Sequence, residues 1–187
     1  MLTREKLFQL RDQLVNAPWA AHQSAGPQAL LAKHNLQIPK GSEVLKGLRL
    51  TAMRALNRNS KLMSAVLPHK IVPPNFNRYL ADNNRYGWHT DSSLRCMPDG
   101  RCLRTDVSAT LFLSEPSDYE GSELVIKDTY GLHTVKWAAG SLVVYPSGSI
   151  HEVTPSKAGS AWLATCSCKA LSRTPDVAAI LMTWTSP

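Results

Sequence analysis

Short strand-like segments separated by turns fill residues 73–155, and this pattern constrains the fold more than any other feature of the chain. Turns are predicted at 82–84, 98–100 and 120–121, where polar residues, proline and glycine cluster. The predicted strands are Asn75–Leu80, Tyr86–Ser92, Val107–Leu113, Glu123–Lys127, Leu132–Lys136, Ser141–Tyr145 and Ile150–Thr154. Many short strands at such spacing are typical of a sandwich or barrel, and a double-sheet jelly roll gathers distant side chains at one mouth. We therefore predict a mainly β fold with a jelly-roll core.

Two helices are predicted in the first 70 residues. Thr3 and Ser42 are suitable N-cap residues, because their hydroxyls can accept hydrogen bonds from the free amides of a first helical turn. Apolar residues follow them at helical spacing: Leu7, Leu10 and Leu14 in one helix, and Leu45, Leu48, Ala52 and Leu56 in the other. We predict three parts at the sequence level, a helical segment over 1–70 packed on the core, the core over 71–158, and an atypical tail over 159–187.

His89, Asp91 and His151 form the strongest candidate site. His89 and Asp91 are two residues apart, so on a strand both side chains point to the same side. His151 follows much later and must come from another strand of the same sheet system. A His-x-Asp pair alone is also typical of a surface histidine beside a turn aspartate. With strands predicted around both halves, two imidazoles and one carboxylate suit a non-haem iron site that keeps positions open for a cosubstrate and O2.

The net charge of +7 is concentrated in the N-terminal part of the chain. Residues 1–70 contain 11 Lys/Arg against three Asp/Glu, whereas the remainder is nearly balanced. A basic half can indicate nucleic-acid binding, but these cations are not interleaved with aromatic residues, and a solvated helix face explains them. We therefore predict no nucleic-acid partner and expect the excess positive charge to lie away from the candidate metal site.

Cysteine usage and hydropathy bear on the compartment. The chain lacks an apolar run long enough to cross a membrane, and its first residues lack the apolar segment of a signal peptide. The cysteines show no Cys-x-x-Cys pair and no zinc spacing, and Cys96 and Cys102 could be free thiols on a loop. Four cysteines in such a chain indicate reduced thiols. We predict a cytoplasmic protein with no membrane partner and leave its oligomeric state open.

Several runs carry a resemblance to a known family. They are Phe76–Tyr79, Tyr86–Asp91, Arg104–Ser114, Gly121–Val125 and Tyr145–His151, with Lys33–Gln37 upstream. These runs resemble the PKHD-type hydroxylases, which are bacterial Fe(II)- and 2-oxoglutarate-dependent dioxygenases related to prolyl 4-hydroxylases. The resemblance covers roughly residues 30 to 155. It implies a double-stranded β-helix core, iron held by His89, Asp91 and His151, and a requirement for Fe(2+), 2-oxoglutarate and L-ascorbate (vitamin C).

The resemblance also implies how 2-oxoglutarate is held. Its keto acid end would bind the iron, and its far carboxylate would need a hydroxyl and a cation. Tyr79 matches the tyrosine that related enzymes place there, although a buried core tyrosine would look the same in sequence. The family pattern places an arginine ten residues after the distal histidine, and this chain has Ala161 at that position. The expected arginine is therefore absent, and a lysine elsewhere, such as Lys157, does not reproduce a bidentate guanidinium–carboxylate pair.

A change of reading frame explains the atypical tail. Codons compatible with residues 159–172, read one frame away, can encode Gln-Arg-Leu-Ala-Ser-x-Leu-Phe-Val-Gln-Ser-Leu-Val, which resembles the missing family strand. Its arginine codon would straddle Ser160 and Ala161. We therefore hypothesise a frameshift near 156–159, with a divergent ending as the alternative. The core would then be incomplete at its C-terminal end, and a neighbouring strand would lose its pairing partner.

Two classes of function follow. The first is an Fe(II)- and 2-oxoglutarate-dependent dioxygenase, a hydroxylase, impaired by loss of the anchoring arginine. It would use O2 and an unknown substrate, for which kinship with prolyl hydroxylases suggests a protein side chain. The second is a non-catalytic metal-binding remnant of such an enzyme. A cupin would place more histidines near His89, and the other four histidines show no such clustering.

Overall fold

Two antiparallel sheets and a layer of N-terminal helices make up the described part of the chain. The structure is a computed structural model that describes residues 3–21, 32–82, 84–96, 100 and 102–171. Its helices are α1 (Arg4–Val15), α2 (Glu43–Asn57) and α3 (Ser60–Val66). Its strands are β1 (Ala20–Ala21), β2 (Lys33–His34), β3 (Leu36–Gln37), β4 (Pro68–Ile71), β5 (Asn75–Leu80), β6 (Arg85–His89), β7 (Leu94–Cys96), β8 (Cys102–Arg104), β9 (Val107–Phe112), β10 (Tyr119–Gly121), β11 (Leu124–Asp128), β12 (Gly131–Val135), β13 (Leu142–Pro146), β14 (Ile150–Val153) and β15 (Ser156–Ala170).

The sheets have the topology expected of a jelly roll. In the larger one, β1, β3, β5, β15, β9 and β13 lie side by side, and β4 and β10 also pair with β15. In the smaller one the order is β12, β11, β14, β6, β2. A buried cluster that includes Tyr79, Phe112, Tyr145, Leu124 and Val153 fills the space between the two inner faces. The predicted mainly β fold with a jelly-roll core is confirmed.

The helices cover the outer face of the larger sheet. Leu10 and Leu14 of α1 and Leu45 and Leu48 of α2 belong to one buried cluster with the outer side chains of β9, β13 and β15. The predicted caps form, since the Thr3 hydroxyl accepts from the Lys6 amide and the Ser42 hydroxyl accepts from the Leu45 amide. No helix within the described residues combines the length and hydropathy that a membrane crossing requires.

β15 is the central strand of the larger sheet. It pairs with β5 from Ser160 to Thr165 and with β9 from Leu163 to Cys168. The unpaired edge expected from the sequence therefore does not form beside β5 or β9. Residues 159–170, which the sequence placed in the tail, continue a strand that begins at Ser156, and residues 172–187 lie outside the described part of the chain.

Two glycines allow β10 to pair closely with the start of β15. Gly159 has φ +72°, and a side chain there would collide with the backbone carbonyl of Asp118. Gly121 has φ +75°, and a side chain there would collide with the carbonyl of Pro155. Glycine tolerates both the left-handed backbone and the contact. The start of the atypical segment is therefore accommodated by the fold at Gly159.

Several short elements have no counterpart in the sequence prediction. Helix α3 follows directly on α2 after Asn59, whose side chain caps it by accepting from the Leu62 amide. Within residues 33–37, β2 and β3 form and pair with β6 and β5. β7 and β8 form a hairpin on either side of the turn predicted at 98–100, of which only Gly100 is described. These strands are too short to show a periodicity in sequence.

Candidate metal centre

The structure brings His89, Asp91 and His151 together on the wall of one cavity. One potential ligand atom from each residue lies within 4.8 Å of the others. His151 Nε2 is 3.8 Å from Asp91 Oδ2, and the two imidazole centroids are 4.2 Å apart. β6 and β14 are neighbours in the smaller sheet, with His89 directly opposite His151 in the register. That register explains how residues far apart in sequence reach one point.

Each imidazole is held in the orientation that a metal ligand needs. His89 Nδ1 donates to the carbonyl oxygen of Gly87 at 2.8 Å, and His151 Nδ1 donates to that of Ser149 at 2.9 Å. A carbonyl oxygen can only accept, so the proton of each neutral ring lies on Nδ1 and the lone pair on Nε2. Such hydrogen bonds fix the tautomer and the ring angle of metal-binding histidines.

Asp91 is fixed by the end of the larger sheet. The strand β6 ends at His89, so Asp91 lies just beyond it, and the Asp91 amide donates to the Ser147 carbonyl at 3.1 Å. The Ser108 hydroxyl donates to Asp91 Oδ2 and is 3.0 Å from Ser147 Oγ. The Oδ2 atom that lies 3.8 Å from His151 Nε2 is therefore also the one that accepts the supporting hydrogen bond.

The electrostatics of the site favour neutral imidazole. Burial, reinforced by the neighbouring His151, lowers the pKa of His89 to about 4, although the Gly87 carbonyl and Asp91 oppose this shift. A neutral ring keeps its Nε2 lone pair available near neutral pH. The donor set of two imidazoles and one carboxylate, each oriented by a further hydrogen bond, fits a ferrous ion with open coordination positions.

Tyr79 lies in the same cavity, which has a volume of about 810 Å³. It is on β5, it is 1% exposed, and burial followed by the nearby Tyr86 raises its pKa, so its hydroxyl remains a donor. Tyr145 lies beneath His151, with ring centroids 4.9 Å apart, and its hydroxyl is 3.3 Å from Thr110 Oγ1. The cavity thus combines the triad with neutral hydroxyl groups.

The wall formed by β15 carries no cation at the expected place. Ala161 is fully buried and lies directly opposite Tyr79 in the register. Leu163 and Thr165, on the same face of the strand, line the cavity. Lys157 is exposed on the other side of the fold, where its ammonium is 3.9 Å from Glu120, and Arg173 lies outside the described residues.

Cations from elsewhere in the chain do reach this cavity. Lys33, Lys40 and Arg49 line it, and so does Arg95. The first three belong to the basic N-terminal part, so the expectation that its positive charge lies away from the metal site is wrong. The reason is topological, because β2 joins the smaller sheet beside β6 and carries Lys33 inward. Charge counts along a sequence cannot show such a pairing.

The prediction for two of the cysteines is also wrong. Cys96 and Cys102 are joined by a disulfide across the β7–β8 hairpin, where they are register partners. Cys96 also lines the cavity. Cys166 and Cys168 are free and buried in β15. Six residues of separation gave no sign of the bond in sequence, because disulfide pairing depends on strand register.

Sequence reasoning missed the polar groups that support the site. Ser108 and Thr110 alternate along β9 and contact Asp91 and Tyr145 respectively. Asn77 accepts from the side-chain amides of Asn35 and Gln37 and donates to Thr165, which ties β3, β5 and β15 together. Polar residues at every second position of an otherwise apolar strand were the available signal.

Comparison with known proteins gives a consistent picture. The family model described as the 2OG-Fe(II) oxygenase superfamily matches residues 74–167. A PKHD-type hydroxylase of Azoarcus sp. (strain BH72) is 51% identical over 160 residues, which cover 85% of this chain and 70% of that protein. A PKHD-type hydroxylase of Nitrosomonas europaea is 47% identical over 178 residues, covering 94% of this chain and 78% of that protein.

The fold is also that of a solved structure. A Pseudomonas putida prolyl-4-hydroxylase superposes with a TM-score of 0.60 and 21% identity, covering 89% of this chain and 85% of that one. At this identity the likeness shows the fold alone. It agrees with the two-sheet architecture of this chain.

Proposed function

The chain belongs to the PKHD-type hydroxylases of the 2OG-Fe(II) oxygenase superfamily, and we propose that it binds Fe(2+) through His89, Asp91 and His151. The observation that carries the proposal is the convergence of the three potential ligand atoms within 4.8 Å on one cavity wall. When bound, iron and 2-oxoglutarate would allow O2 to hydroxylate a substrate, with one oxygen atom entering the substrate and 2-oxoglutarate converted to succinate and CO2. By family the protein is a dioxygenase.

The residues of the chain have separate tasks in this proposal. The Nε2 atoms of both histidines and the Asp91 carboxylate hold the metal, while the carbonyls of Gly87 and Ser149 keep the rings aimed at it. The Tyr79 hydroxyl donates to the far carboxylate of 2-oxoglutarate. Leu124, Val153 and Leu163 line the cavity and exclude water from the reacting groups.

The decisive assay is succinate release from 2-oxoglutarate, measured with and without Fe(II) and candidate substrates. We expect release that depends on Fe(II) and O2 and is abolished by Asp91→Ala. His133→Ala is a matched control, because His133 pairs with Asp128 on the smaller sheet and does not line the cavity. If the chain binds metal but releases no succinate under any condition, the alternative of a non-catalytic metal-binding remnant replaces this proposal.

Ala161 supports the view that the enzyme is impaired. A far carboxylate that lacks a guanidinium partner should bind more weakly by about 2–5 kcal/mol, as in other truncated charge pairs. A chain carrying the alternative-frame sequence from Gly159 onward should therefore bind 2-oxoglutarate more tightly than the present chain. Sequencing the gene tests the frameshift itself, because the hypothesis fails if the DNA cannot encode that string.

The substrate class is proposed from the nearest chemistry available. One structural neighbour is a prolyl hydroxylase of Trichoplax adhaerens in complex with a peptide fragment of hypoxia-inducible factor, with a TM-score of 0.56 and 17% identity. By analogy we propose a protein side chain as substrate. After incubation with the protein, mass spectrometry of a peptide library should show the mass gain of one oxygen atom in a subset of the peptides. If no peptide gains this mass, a small-molecule substrate is favoured.

Ascorbate and the compartment are further parts of the proposal. Ascorbate would keep the iron ferrous, so its omission should shorten the time over which succinate release continues. A cytoplasmic location agrees with the two buried free thiols, Cys166 and Cys168, whereas the Cys96–Cys102 disulfide is the observation that opposes it. A count of free thiols, alkylated in intact cells before the protein is purified, distinguishes a reducing compartment from an oxidising one. Four free thiols are expected in the cytoplasm.

A further inference from the structure

The cavity needs a cation if it is to hold a dicarboxylate, and the side chain opposite Tyr79 is that of Ala161. Lys33, Lys40, Arg49 and Arg95 are the cationic residues among the described residues that line the cavity. Arg49 is already engaged, because its guanidinium donates to the Pro74 carbonyl at 2.9 Å and to Asn75 Oδ1 at 2.8 Å. Lys40 is exposed. Lys33 and Arg95 therefore remain as the groups able to receive an anion inside the cavity.

Of these two cations, Lys33 contacts a tyrosine that stacks on a metal ligand. Its ammonium lies 4.7 Å from the centroid of the Tyr86 ring, and that ring stacks on His89 with centroids 3.4 Å apart. Every second residue of the β2–β3 segment is polar on one side, namely Lys33, Asn35 and Gln37. The side-chain amides of Asn35 and Gln37 donate to Asn77. This network anchors the segment against β5, the strand that carries Tyr79. Lys33 and the metal ligand His89 thus contact the same aromatic ring.

Among the residues that the structure describes, none forms an ion pair with Lys33, although the Asp91 carboxylate attracts it from farther away. Asp91 is the one carboxylate that lines the cavity within the same residues, and it belongs to the metal site. Lys33 is partly buried, so its ammonium loses part of its hydration, and a bound carboxylate would offset that cost.

The surroundings of Lys33 reinforce its attraction for an anion. Arg95 lines the same cavity, and its Nε is buried without a hydrogen-bond partner. Burial, opposed by Asp91 and aided by Arg95, lowers the pKa of Lys33 to about 8, so the ammonium stays protonated at neutral pH. Two positive groups and the Tyr79 hydroxyl therefore line the same cavity as the metal ligands.

We propose that Lys33 binds the far carboxylate of 2-oxoglutarate in this chain, as a positioning residue in place of the arginine that β15 lacks. The inference rests on the proposed function. It deepens that function by assigning the cosubstrate anchor to the smaller sheet, and it gives Arg95 the secondary task of raising the local positive potential. Lys33 acts as a point charge, whereas an arginine would offer a planar fork.

The test measures binding rather than turnover. The full chain is loaded with Mn(II), and calorimetry gives the Kd of 2-oxoglutarate and of 2-oxobutyrate, which has the same keto acid end but no far carboxylate. We expect Lys33→Met to weaken 2-oxoglutarate at least about tenfold and to change 2-oxobutyrate by less than about twofold. Lys33→Arg should retain most of the affinity. Lys46→Met, a change of the same size at an exposed lysine of α2 that does not line the cavity, should have no effect.

The outcomes separate the two levels of the argument. Unchanged 2-oxoglutarate affinity in Lys33→Met, with Mn(II) still bound, overturns the assignment of Lys33 and leaves the proposed function standing. Equal losses for both ligands also overturn it, because they would place the effect of Lys33 on the metal end or on folding. If the unmodified chain binds Mn(II) but neither keto acid, the proposed function itself fails, and the role of Lys33 fails with it.

Discussion

The two walls of the cavity differ in how many of the expected ligand-binding side chains they carry. The wall built from β6 and β14 carries the triad, and each of its imidazoles is held by a backbone carbonyl at 2.8 or 2.9 Å. The wall built from β15 carries Ala161 where a cation is expected, although the strand itself is paired on both sides. In the proposed function, metal binding therefore depends on residues of β6 and β14 and the turn after β6, whereas the cosubstrate contacts lie on β5 and β2. A change in one wall can leave the other intact.

The first prediction tests the equipped wall and has the largest expected effect. His89→Ala or Asp91→Ala should weaken Fe(II) or Mn(II) binding by at least about a hundredfold, because loss of a residue that merely orients a ligand already costs 10–100-fold. Metal titration of the purified chain measures this, with His133→Ala as the control. Unchanged titration curves in both variants would falsify the triad as the metal site.

The second prediction adds a cation to the poorly equipped wall. Because β15 is present and Ala161 faces Tyr79, Ala161→Arg in the Lys33→Met background should restore 2-oxoglutarate affinity by about tenfold through a charge-assisted pair. Ala161→Met in the same background fills a similar volume without the charge. Calorimetry with the Mn(II)-loaded protein is the measurement, and equal affinities for the two variants would show that position 161 does not reach the cosubstrate.

The third prediction tests whether β15 follows the described path. Gly159→Ala should lower the free energy of unfolding by more than about 1 kcal/mol, since φ is +72° and the new Cβ would meet the Asp118 carbonyl. Gly47→Ala, in the exposed middle of α2, should instead raise stability slightly. Urea denaturation compares the two. If Gly159→Ala leaves the free energy of unfolding unchanged, β10 and the start of β15 do not pair as described.

The fourth prediction concerns pH and has the smallest effect. The pKa of Lys33 is lowered to about 8, so the ammonium predominates below that pH and is lost above it. Asp91 and Arg95 are the charged groups that face it, and Tyr86 beneath it has a raised pKa. Affinity for 2-oxoglutarate should therefore fall by about threefold or more between pH 7 and pH 9. In Lys33→Arg the fall should disappear, and its persistence there would assign the titration to another group.

Much of the site could be predicted from sequence because its signals are local. His89 and Asp91 lie in one short motif, and the apolar runs elsewhere predicted β5, β9 and β13 to within one residue at each end. The strand predicted over Tyr86–Ser92 ends earlier, at His89, so Asp91 lies beyond β6 rather than on it. The helix caps at Thr3 and Ser42 depend only on the residues of the first turn. The support of Asp91 by Ser108 could not be predicted, since the two meet only after β9 has packed beside β13 and brought Ser147 with it.

The sequence by itself determined the fold class, the identities of the three candidate ligands and the absence of an arginine at position 161. Periodicity and motif spacing are properties of the chain, so they can be read from the sequence without a structure. The tertiary structure decided that β15 is paired, that Cys96 meets Cys102, and that Lys33 from the basic N-terminal part lies beside His89. Each of these depends on strand register between distant segments, which is set by packing between the two sheets and has no local signal.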